Sequence, residues 1–257
     1  MFELPRPIRP GPVSALADAL KYIIKMPYRA YRRVGIGRRL PPLPGGRGWR
    51  TAISPALHVS IIRGMLDYRY RDIPMQKHPI DMALYARLIW ELKPRTIIEI
   101  GSLAGGSAAW LGDILRTFGI DGDVISIDVT PPKPIYQPTN VKFLKGDQND
   151  LSSSLTPTVI ATLSRPWLVI EDASHHYEPT LAVLRFFDPL LRSGEYIVIE
   201  DANLTEMGTD ARYGGGPARA ICEFLVDRSD DYEIDERYCD QYGVNVTENP
   251  NGYLRRK

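Results

Sequence analysis

Long apolar runs, cysteine and a large excess of either charge are all lacking in this sequence of 257 residues. No stretch approaches the roughly 18 uninterrupted apolar residues that a membrane-spanning helix needs. The N-terminus lacks a basic stretch followed by an apolar run and a small-residue cleavage site, so we expect no secretory signal and a cytoplasmic location. Only two cysteines occur, Cys222 and Cys239, which excludes a disulfide framework and predicts two reduced thiols.

The net charge of +1 conceals two regions of opposite charge. Residues 1–50 contain eleven Lys or Arg and two acidic residues, a net +9, which leaves 21 basic and 29 acidic residues, a net −8, for residues 51–257. The first region also contains eight prolines and six glycines, a composition that resists regular structure. We therefore divide the chain into a basic Pro/Gly-rich arm, residues 1–50, and a globular domain, residues 51–257.

Within the arm, residues 14–33 are predicted to form one helix, because apolar residues recur there at helical spacing. Three roles stay open for the arm. It packs on a neighbouring subunit or over the active site, or residues 14–39 contact anionic lipid or a lipid-linked substrate, or it binds nucleic acid. No recognised motif accompanies the charge, so nucleic acid is not the expected partner.

In the domain, short β-branched runs alternate with helical patterns, which predicts an α/β fold with a doubly wound, mostly parallel sheet. The predicted strands cover residues 96–100, 124–129, 141–144, 167–170 and 196–199. The predicted helices cover residues 79–92, 107–118, 150–163, 179–191 and 217–226. Residues 232–234 and 244–247 are expected to close the sheet as an antiparallel pair.

A glycine-rich turn follows the first strand, where sheets of this kind bind ligands. Gly101 and Gly105 let the backbone turn sharply, and the next helix begins with free N–H groups. Leu103 breaks the Gly-x-Gly-x-x-Gly spacing of dinucleotide sites. Asp128 ends the second strand, where an acid accepts ribose hydroxyls, and Asp147 follows the third strand. A nucleoside bound without a diphosphate indicates S-adenosylmethionine, the cofactor of class I methyltransferases.

The fourth and fifth strands end in near-identical acidic phrases, Glu171-Asp172 and Glu200-Asp201. Carboxylates at neighbouring strand ends repel each other unless a cation neutralises them, and such oxygen ligands suit Mg²⁺. Strand-end acids that only cap the sheet or pair with Arg are the alternative. His175 stands three residues after Asp172 and is the expected general base, although the adjacent His176 stays open as the base.

Four phrases together resemble the cephalosporin hydroxylase / rhamnosyl O-methyltransferase family, from about Ile61 to the C-terminus. They cover residues 98–102, 171–175, 213–217 and 245–253. The resemblance implies a Rossmann-like class I methyltransferase fold that uses S-adenosylmethionine and Mg²⁺. The related macrolide-sugar methyltransferases further imply Asp172, Glu200 and Asp201 as metal ligands, with His175 as the catalytic base. Residues 1–50 fall outside the resemblance.

These observations predict a Mg²⁺-dependent O-methyltransferase that moves the methyl group of S-adenosylmethionine to a hydroxyl of a sugar or glycosylated natural product. The predicted catalytic residues are His175 and Asp172. The predicted cofactor-binding residues are Glu99, Gly101, Ser102, Gly105, Ser107, Asp128 and Asp147. A homo-oligomer is expected, whereas the acceptor cannot be read from the sequence.

Two other functions stay open: a non-catalytic helper of a separate oxidase in cephalosporin-type tailoring, and an NAD-dependent oxidoreductase. The broken glycine spacing disfavours the second. Oxidation by this chain alone is not expected, because no His-x-Asp/Glu element of a non-haem iron site occurs at His58, His78 or His175. Two segments keep open roles. Residues 68–72, with Gln76 and Lys77, line the acceptor pocket or contact a subunit. Residues 213–217 form a closing loop or a plain connection.

Overall fold

The computed structural model describes residue 40 and residues 43–257. Its central sheet has seven strands in the order β3-β2-β1-β4-β5-β7-β6. They are β1 (Thr96–Ile100), β2 (Asp123–Asp128), β3 (Val141–Lys145), β4 (Trp167–Glu171), β5 (Tyr196–Ile199), β6 (Tyr232–Ile234) and β7 (Tyr253–Arg256). The first five are parallel, whereas β7 runs antiparallel to both β5 and β6. The predicted doubly wound, mostly parallel sheet is confirmed.

Seven α-helices are described: α1 (Pro55–Asp67), α2 (Pro79–Leu92), α3 (Gly106–Thr117), α4 (Pro157–Thr162), α5 (Tyr177–Phe187), α6 (Gly216–Arg228) and α7 (Glu236–Cys239). Short 3₁₀ turns occur at Pro44–Gly46, Leu151–Ser153, Ala202–Thr205 and Asp210–Tyr213. A small hairpin pairs Arg69–Tyr70 with Ile73–Pro74. Among the residues described, none of these helices is long and apolar enough to cross a membrane.

The sheet is buried on both faces, because its central strands carry apolar side chains at nearly every position. In β1, Ile98 and Ile100 pack into one core cluster, while Ile97 packs into a second cluster on the opposite face. β5 divides in the same way, with Ile199 in the first cluster and Val198 in the second. Helices therefore cover both faces, and the polar residues that follow the strands are left at one edge.

Register brings the acidic phrases together. Strands β4 and β5 pair in parallel with Glu171 opposite Ile199. The Asp172 N–H donates to the Ile100 carbonyl at 2.9 Å, and the Glu200 N–H donates to the Glu171 carbonyl at 2.9 Å. Main-chain hydrogen bonds therefore hold both acidic phrases at the same edge of the sheet, beside the end of β1.

The single helix predicted over residues 150–163 is wrong. A 3₁₀ turn at Leu151–Ser153 is followed by α4, which begins only at Pro157. Thr156 caps this helix, since its Oγ1 accepts from the Val159 N–H at 3.3 Å. Proline has no N–H to continue a preceding helix, and it fits the first helical turn. The cap and the proline therefore divide the segment.

The strand predicted over residues 244–247 is also wrong, and its place in the sheet is taken by β7. Asn245 has a φ of 51°, in the left-handed region, which ends extended structure. Its buried Nδ2 donates to the carbonyls of Gly48 at 3.1 Å and Arg50 at 3.2 Å. This loop therefore uses its polar side chains to bind neighbouring segments, and the alternation of apolar and polar residues was not a strand signal.

Residues 43–50, assigned to the arm by their composition, contact the C-terminal loop, which is residues 240–252 between α7 and β7. Arg47 makes a bidentate pair with Asp240, at 2.9 Å and 2.6 Å. Leu43 and Trp49 are buried in the core cluster on one face of the sheet. The helix predicted over residues 14–33 lies outside the described residues.

Candidate active site

A cavity of about 740 Å³ lies at the carboxyl ends of the parallel strands, where sheets of this kind bind ligands. One wall, the strand-end wall, is formed by residues at and just after the carboxyl ends of β1 to β5. These residues fall within the ranges 100–107, 127–129, 146–149, 172–175 and 200–201. Its loop wall comprises residues 74–78 and Glu248. Both walls carry charged side chains into the same space.

The turn after β1 depends on a glycine. Gly101 has a φ of 101°, and a Cβ atom there would lie 2.1 Å from the carbonyl oxygen of Asp172. The Ser102 N–H donates to Oδ2 of Asp128 at 2.9 Å. Oδ1 of Asp128 accepts from the Thr130 N–H at 2.8 Å. The ends of β1, β2 and β4 are thereby held close together beneath the cavity.

Five of the seven predicted cofactor-binding residues line the cavity: Gly101, Ser102, Ser107, Asp128 and Asp147. Glu99 and Gly105 are not among the lining residues. Glu99 is buried under the turn, where it accepts from Ser126 Oγ at 2.5 Å, and burial raises the pKa of its carboxyl group. Gly105 has a φ of 86°, and a Cβ atom there would lie 2.9 Å from the Phe143 ring. Both residues support the turn.

The three predicted metal ligands, Asp172, Glu200 and Asp201, all line the cavity, and a buried lysine lies between two of them. Lys77 Nζ donates to Asp172 Oδ2 at 2.6 Å and to Glu200 Oε1 at 2.5 Å. The Tyr85 hydroxyl donates to the same Glu200 oxygen at 2.6 Å. Burial lowers the pKa of the Lys77 ammonium, but the facing carboxylates outweigh burial and raise it, so the ammonium keeps its charge.

One ammonium does not balance three carboxylates. Burial raises the pKa of both Asp172 and Glu200, and repulsion from a neighbouring carboxylate raises each further against the effect of Lys77. With all three carboxylates ionised, their charges would exceed that of the Lys77 ammonium by two, and a divalent cation would balance this excess and favour the ionised form. Carboxylate oxygens are ligands that Mg²⁺ prefers. The donor set therefore fits the predicted metal.

The geometry distinguishes the predicted ligands. Asp172, His175 and Asp201 each offer one ligand atom, and these atoms lie within 4.8 Å of one another. Glu200 does not belong to this group of three, and its Oε1 accepts from Lys77 and Tyr85. Its role as a metal ligand stays a prediction.

His175 lies beside the carboxylates, with its Nδ1 3.0 Å from Oδ2 of Asp201. Its φ of 59° is a left-handed conformation, of the strained kind that concentrates at functional sites. Burial lowers the pKa of the imidazole, but Asp201 and then Asp172 outweigh burial and raise it. His176 is exposed, and its ring packs edge-on against Tyr213 at 5.2 Å. Of the two histidines, His175 is the one that lines the cavity.

Sequence reasoning did not single out Lys77 as a partner of the acids. The structure places Gln76 and Lys77 in the cavity lining, as one of the two roles predicted for this segment requires. One signal was available, since Lys77 and His78 directly precede Pro79 at the start of α2. The N-terminus of a helix favours acidic residues, so a basic residue there indicates another purpose.

A second group of buried polar residues was also missed. His58, His78 and Glu248 lie together, and the last two of them belong to the loop wall. Burial lowers the pKa of both imidazoles, to about 4 for His78, and raises the pKa of the Glu248 carboxyl group well above its usual range. These residues come from three distant segments, so no sequence spacing could have indicated their contact.

The sheet order, the glycine turn and the acid at the end of β2 define a class I methyltransferase, the Rossmann-like class that uses S-adenosylmethionine. Within that class, the chain belongs to the Rhamnosyl O-methyltransferase/CmcI family, whose sequence profile matches residues 64–257. The family predicted from the four phrases is thereby confirmed.

Two curated relatives are named rhamnosyl O-methyltransferases. The protein of Mycobacterium leprae (strain TN) is 30% identical over 197 residues, which cover 73% of this chain and 82% of the relative. The protein of Mycobacterium tuberculosis (strain ATCC 25618 / H37Rv) is 30% identical over 198 residues, which cover 73% of this chain and 77% of the relative. The predicted enzyme class, an S-adenosylmethionine-dependent O-methyltransferase, is confirmed.

Solved structures of CmcI share the fold. An apo structure of CmcI is 25% identical with a TM-score of 0.61, and the match covers 92% of this chain and 98% of that one. An Mg–SAM complex of CmcI is 24% identical with a TM-score of 0.57, and the match covers 93% and 99%. The cofactors predicted for this chain, S-adenosylmethionine and Mg²⁺, are thus the pair bound in a solved protein of the same fold.

Proposed function

We propose that this protein transfers the methyl group of S-adenosylmethionine to a hydroxyl of a rhamnose-like sugar, in a reaction that requires Mg²⁺. One observation carries the proposal: a single cavity joins the glycine turn and Asp128 to a cluster of carboxylates with an adjacent histidine. The names of the mycobacterial relatives support a rhamnosyl acceptor.

The cofactor half of the site is the part of the strand-end wall that follows β1, β2 and β3. Gly101 allows the close backbone approach that a bound nucleoside needs, and Ser107 lies in the first turn of α3. Asp128 is already oriented by two backbone N–H groups, which leaves its remaining lone pairs for ribose hydroxyls. Asp147 lines the cavity beyond β3, where the adenine would lie. When bound, S-adenosylmethionine supplies the electrophilic methyl group.

The reacting half follows β4 and β5. Asp172, Glu200 and Asp201 would hold Mg²⁺, which when bound lowers the pKa of an acceptor hydroxyl. His175 takes the proton of that hydroxyl, and Asp201, 3.0 Å from Nδ1, orients the imidazole and stabilises its protonated form. Lys77 keeps Asp172 and Glu200 apart in fixed positions. Alignment of acceptor and cofactor can supply roughly 7–11 kcal/mol of the acceleration.

Several further proposals follow from the sequence. We retain a homo-oligomeric, cytoplasmic protein with a domain predicted over residues 51–257 and an arm predicted over residues 1–50, of which residues 43–50 pack against the domain. Contact of residues 14–39 with anionic lipid would bring the enzyme to a lipid-linked acceptor, and we expect no nucleic-acid partner. Cosedimentation with anionic vesicles, with and without residues 1–39, tests the lipid contact.

The function is tested by calorimetric titration with S-adenosylhomocysteine and by transfer of labelled methyl from S-adenosylmethionine to rhamnosides. We expect tight binding of S-adenosylhomocysteine, and transfer that EDTA abolishes and Mg²⁺ restores. Failure to bind S-adenosylhomocysteine at concentrations up to about millimolar would overturn the cofactor assignment. Transfer that is unaffected by EDTA would overturn the metal assignment.

A further inference from the structure

Two buried imidazoles and a carboxylate that methyl transfer does not use lie together at one place in the structure. His58 belongs to α1, His78 immediately precedes α2, and Glu248 lies in the C-terminal loop. Nε2 of His58 is 3.5 Å from Oε1 of Glu248, and Nε2 of His78 is 3.7 Å from the same oxygen. One ligand atom from each residue lies within 4.8 Å of the others.

Several polar atoms of this cluster are buried without a hydrogen-bond partner. His78 is 2% exposed and Glu248 is 5% exposed. Within the part of the chain that the structure describes, both ring nitrogens of His78, Nδ1 of His58 and Oε1 of Glu248 have no hydrogen-bond partner. A buried polar atom without a hydrogen-bond partner is destabilising unless something else binds it. Two of these atoms, Nε2 of His78 and Oε1 of Glu248, lie 3.7 Å apart, which indicates a shared partner that accepts lone pairs.

We propose that His58, His78 and Glu248 form a second metal site, which takes a divalent transition metal of the Zn²⁺ or Fe²⁺ type. Two imidazole nitrogens and one carboxylate oxygen form a ligand set that suits such metals, whereas Mg²⁺ prefers oxygen ligands alone. The contacts of 3.5 Å and 3.7 Å are too long for hydrogen bonds. They are close to the spacing of atoms that share a metal at about 2.0–2.2 Å.

The surroundings of the cluster match those of a metal site. Oδ2 of Asp81 lies 3.8 Å from Nδ1 of His78, so this carboxylate faces the nitrogen that would not bind the metal. Nδ2 of Asn203 donates to Oε2 of Glu248, which leaves Oε1 free for the metal. The same Nδ2 lies 3.2 Å from Nε2 of His58, a contact that the metal would replace.

The cluster borders the candidate active-site cavity. His78 and Glu248 line this cavity together with Asp172 and Asp201, and Lys77, the neighbour of His78 in the chain, binds Asp172 and Glu200. A metal held by three protein ligands keeps open positions for oxygen atoms of a bound molecule. The second metal would therefore bind and orient an acceptor in the cavity, with no change in its oxidation state.

Metal titrations of the full-length, chelator-treated protein test the proposal, in the presence of about millimolar Mg²⁺ to fill the carboxylate cluster. Zn²⁺ is titrated by calorimetry, and Fe²⁺ is titrated anaerobically in competition with Zn²⁺ to show which of the two is preferred. We expect one equivalent of tight binding, at least about 100-fold weaker in His58→Ala/His78→Ala. His176→Ala, which changes an exposed histidine, is the matched control and should bind as the wild type does.

Two measurements distinguish a folding defect from the loss of the metal site. The double variant must bind S-adenosylhomocysteine with unchanged affinity. The second variant, Glu248→Gln, removes the carboxylate with almost no change in side-chain volume. X-ray absorption of the loaded wild type should show two imidazole ligands. The proposal is overturned if no transition metal binds below about millimolar. It is also overturned if binding survives in the double variant and disappears in Asp172→Asn, or if the spectrum shows fewer than two imidazoles. Mg²⁺-dependent methyl transfer is measured separately, so either proposal can fail alone.

Discussion

The strand-end wall and the loop wall of the cavity are held in place by different kinds of bond. Residues of the strand-end wall follow parallel strands, and main-chain hydrogen bonds fix where they leave the sheet, as at Asp172 and Glu200. The loop wall is fixed by buried side chains. Asp81 accepts from the Thr247 hydroxyl, from the Glu248 N–H at 2.9 Å and from the Tyr253 hydroxyl at 3.2 Å.

The two kinds of framework suit different tasks, cofactor binding and acceptor recognition. A main-chain framework places cofactor-binding groups in a manner that changes of single side chains disturb little. A framework of side chains can be altered one residue at a time, which suits the recognition of a particular acceptor. Lys77 joins the two walls, because it comes from the loop wall and binds two carboxylates of the strand-end wall.

The largest effect on stability is expected from Lys77→Met, which removes the joint between the walls. Loss of the ammonium leaves the buried Asp172 and Glu200 without their cation, at a cost of about 3–5 kcal/mol in the free energy of unfolding. Urea unfolding in Mg²⁺-free buffer measures this cost, and Mg²⁺ should recover more stability in the variant than in the wild type. Lys142→Met is the control, since its exposed ammonium lies 3.6 Å from Asp123 and contributes at most about 1 kcal/mol. Equal losses of stability in Lys77→Met and Lys142→Met would contradict the role of Lys77 as the link between the two walls.

The next largest effect is expected from Gly101→Ala in the strand-end wall. The added Cβ would meet the Asp172 carbonyl oxygen at 2.1 Å, so the turn must shift. We expect affinity for S-adenosylhomocysteine to fall at least about tenfold by calorimetry, with about 1–3 kcal/mol lost in stability. Gly119→Ala is the control, because Gly119 has a φ of +67° but nothing within 4 Å of its Cβ position. Unchanged affinity of Gly101→Ala for S-adenosylhomocysteine would show that the glycine turn is not part of the cofactor site.

Asp81→Asn weakens the loop wall alone. Asparagine presents an N–H₂ group where the carboxylate accepts hydrogen bonds, which costs about 1–3 kcal/mol. We expect KM for a rhamnoside to rise while the Kd for S-adenosylhomocysteine stays within about twofold. Asp121→Asn, at a side chain 93% exposed, is the matched control. A loss of cofactor affinity as large as in Gly101→Ala would show that the two walls are not independent.

The smallest effect is expected from Asp235→Asn, outside both walls. Burial raises the pKa of Asp235, but hydrogen bonds from Arg237 and Tyr196 outweigh it and lower the pKa below the usual 3.8. Its charge therefore contributes stability above pH 3.8, which is lost as the pH falls through the lowered value. Urea unfolding should show a loss of about 1 kcal/mol or less at pH 7, given the exposed Arg237, and a smaller loss as the pH falls below the lowered pKa. A difference that grows on acidification would contradict this assignment.

The strand-end wall could be predicted because its chemistry follows directly from chain order. An acid after a buried strand lies at the carboxyl edge of a parallel sheet wherever the strands pair, so Asp128, Asp172 and Asp201 were found from the strands alone. The helix at Pro79–Leu92 was predicted with its observed bounds, because a proline begins it and Pro94 follows its end. Local rules sufficed for these elements.

The loop wall could not be predicted, because its contacts join residues far apart in the chain. His58 and Glu248 are 190 positions apart and meet only through the packing of α1 against the C-terminal loop. The polar residues of this loop are buried and hydrogen-bonded, so alternation of apolar and polar residues gave a false strand at 244–247. A search for His-x-Asp/Glu spacing likewise could not detect ligands from separate segments.

The most direct test of the account is the single-turnover rate of methyl transfer in His175→Ala, measured from the preformed cofactor complex with Mg²⁺ and a rhamnoside. We expect a loss of about 10²–10⁴-fold with unchanged affinity for S-adenosylhomocysteine, and less than about tenfold loss in His176→Ala. A near-normal rate in His175→Ala, or a larger loss in His176→Ala, would contradict the assignment of His175 as the base.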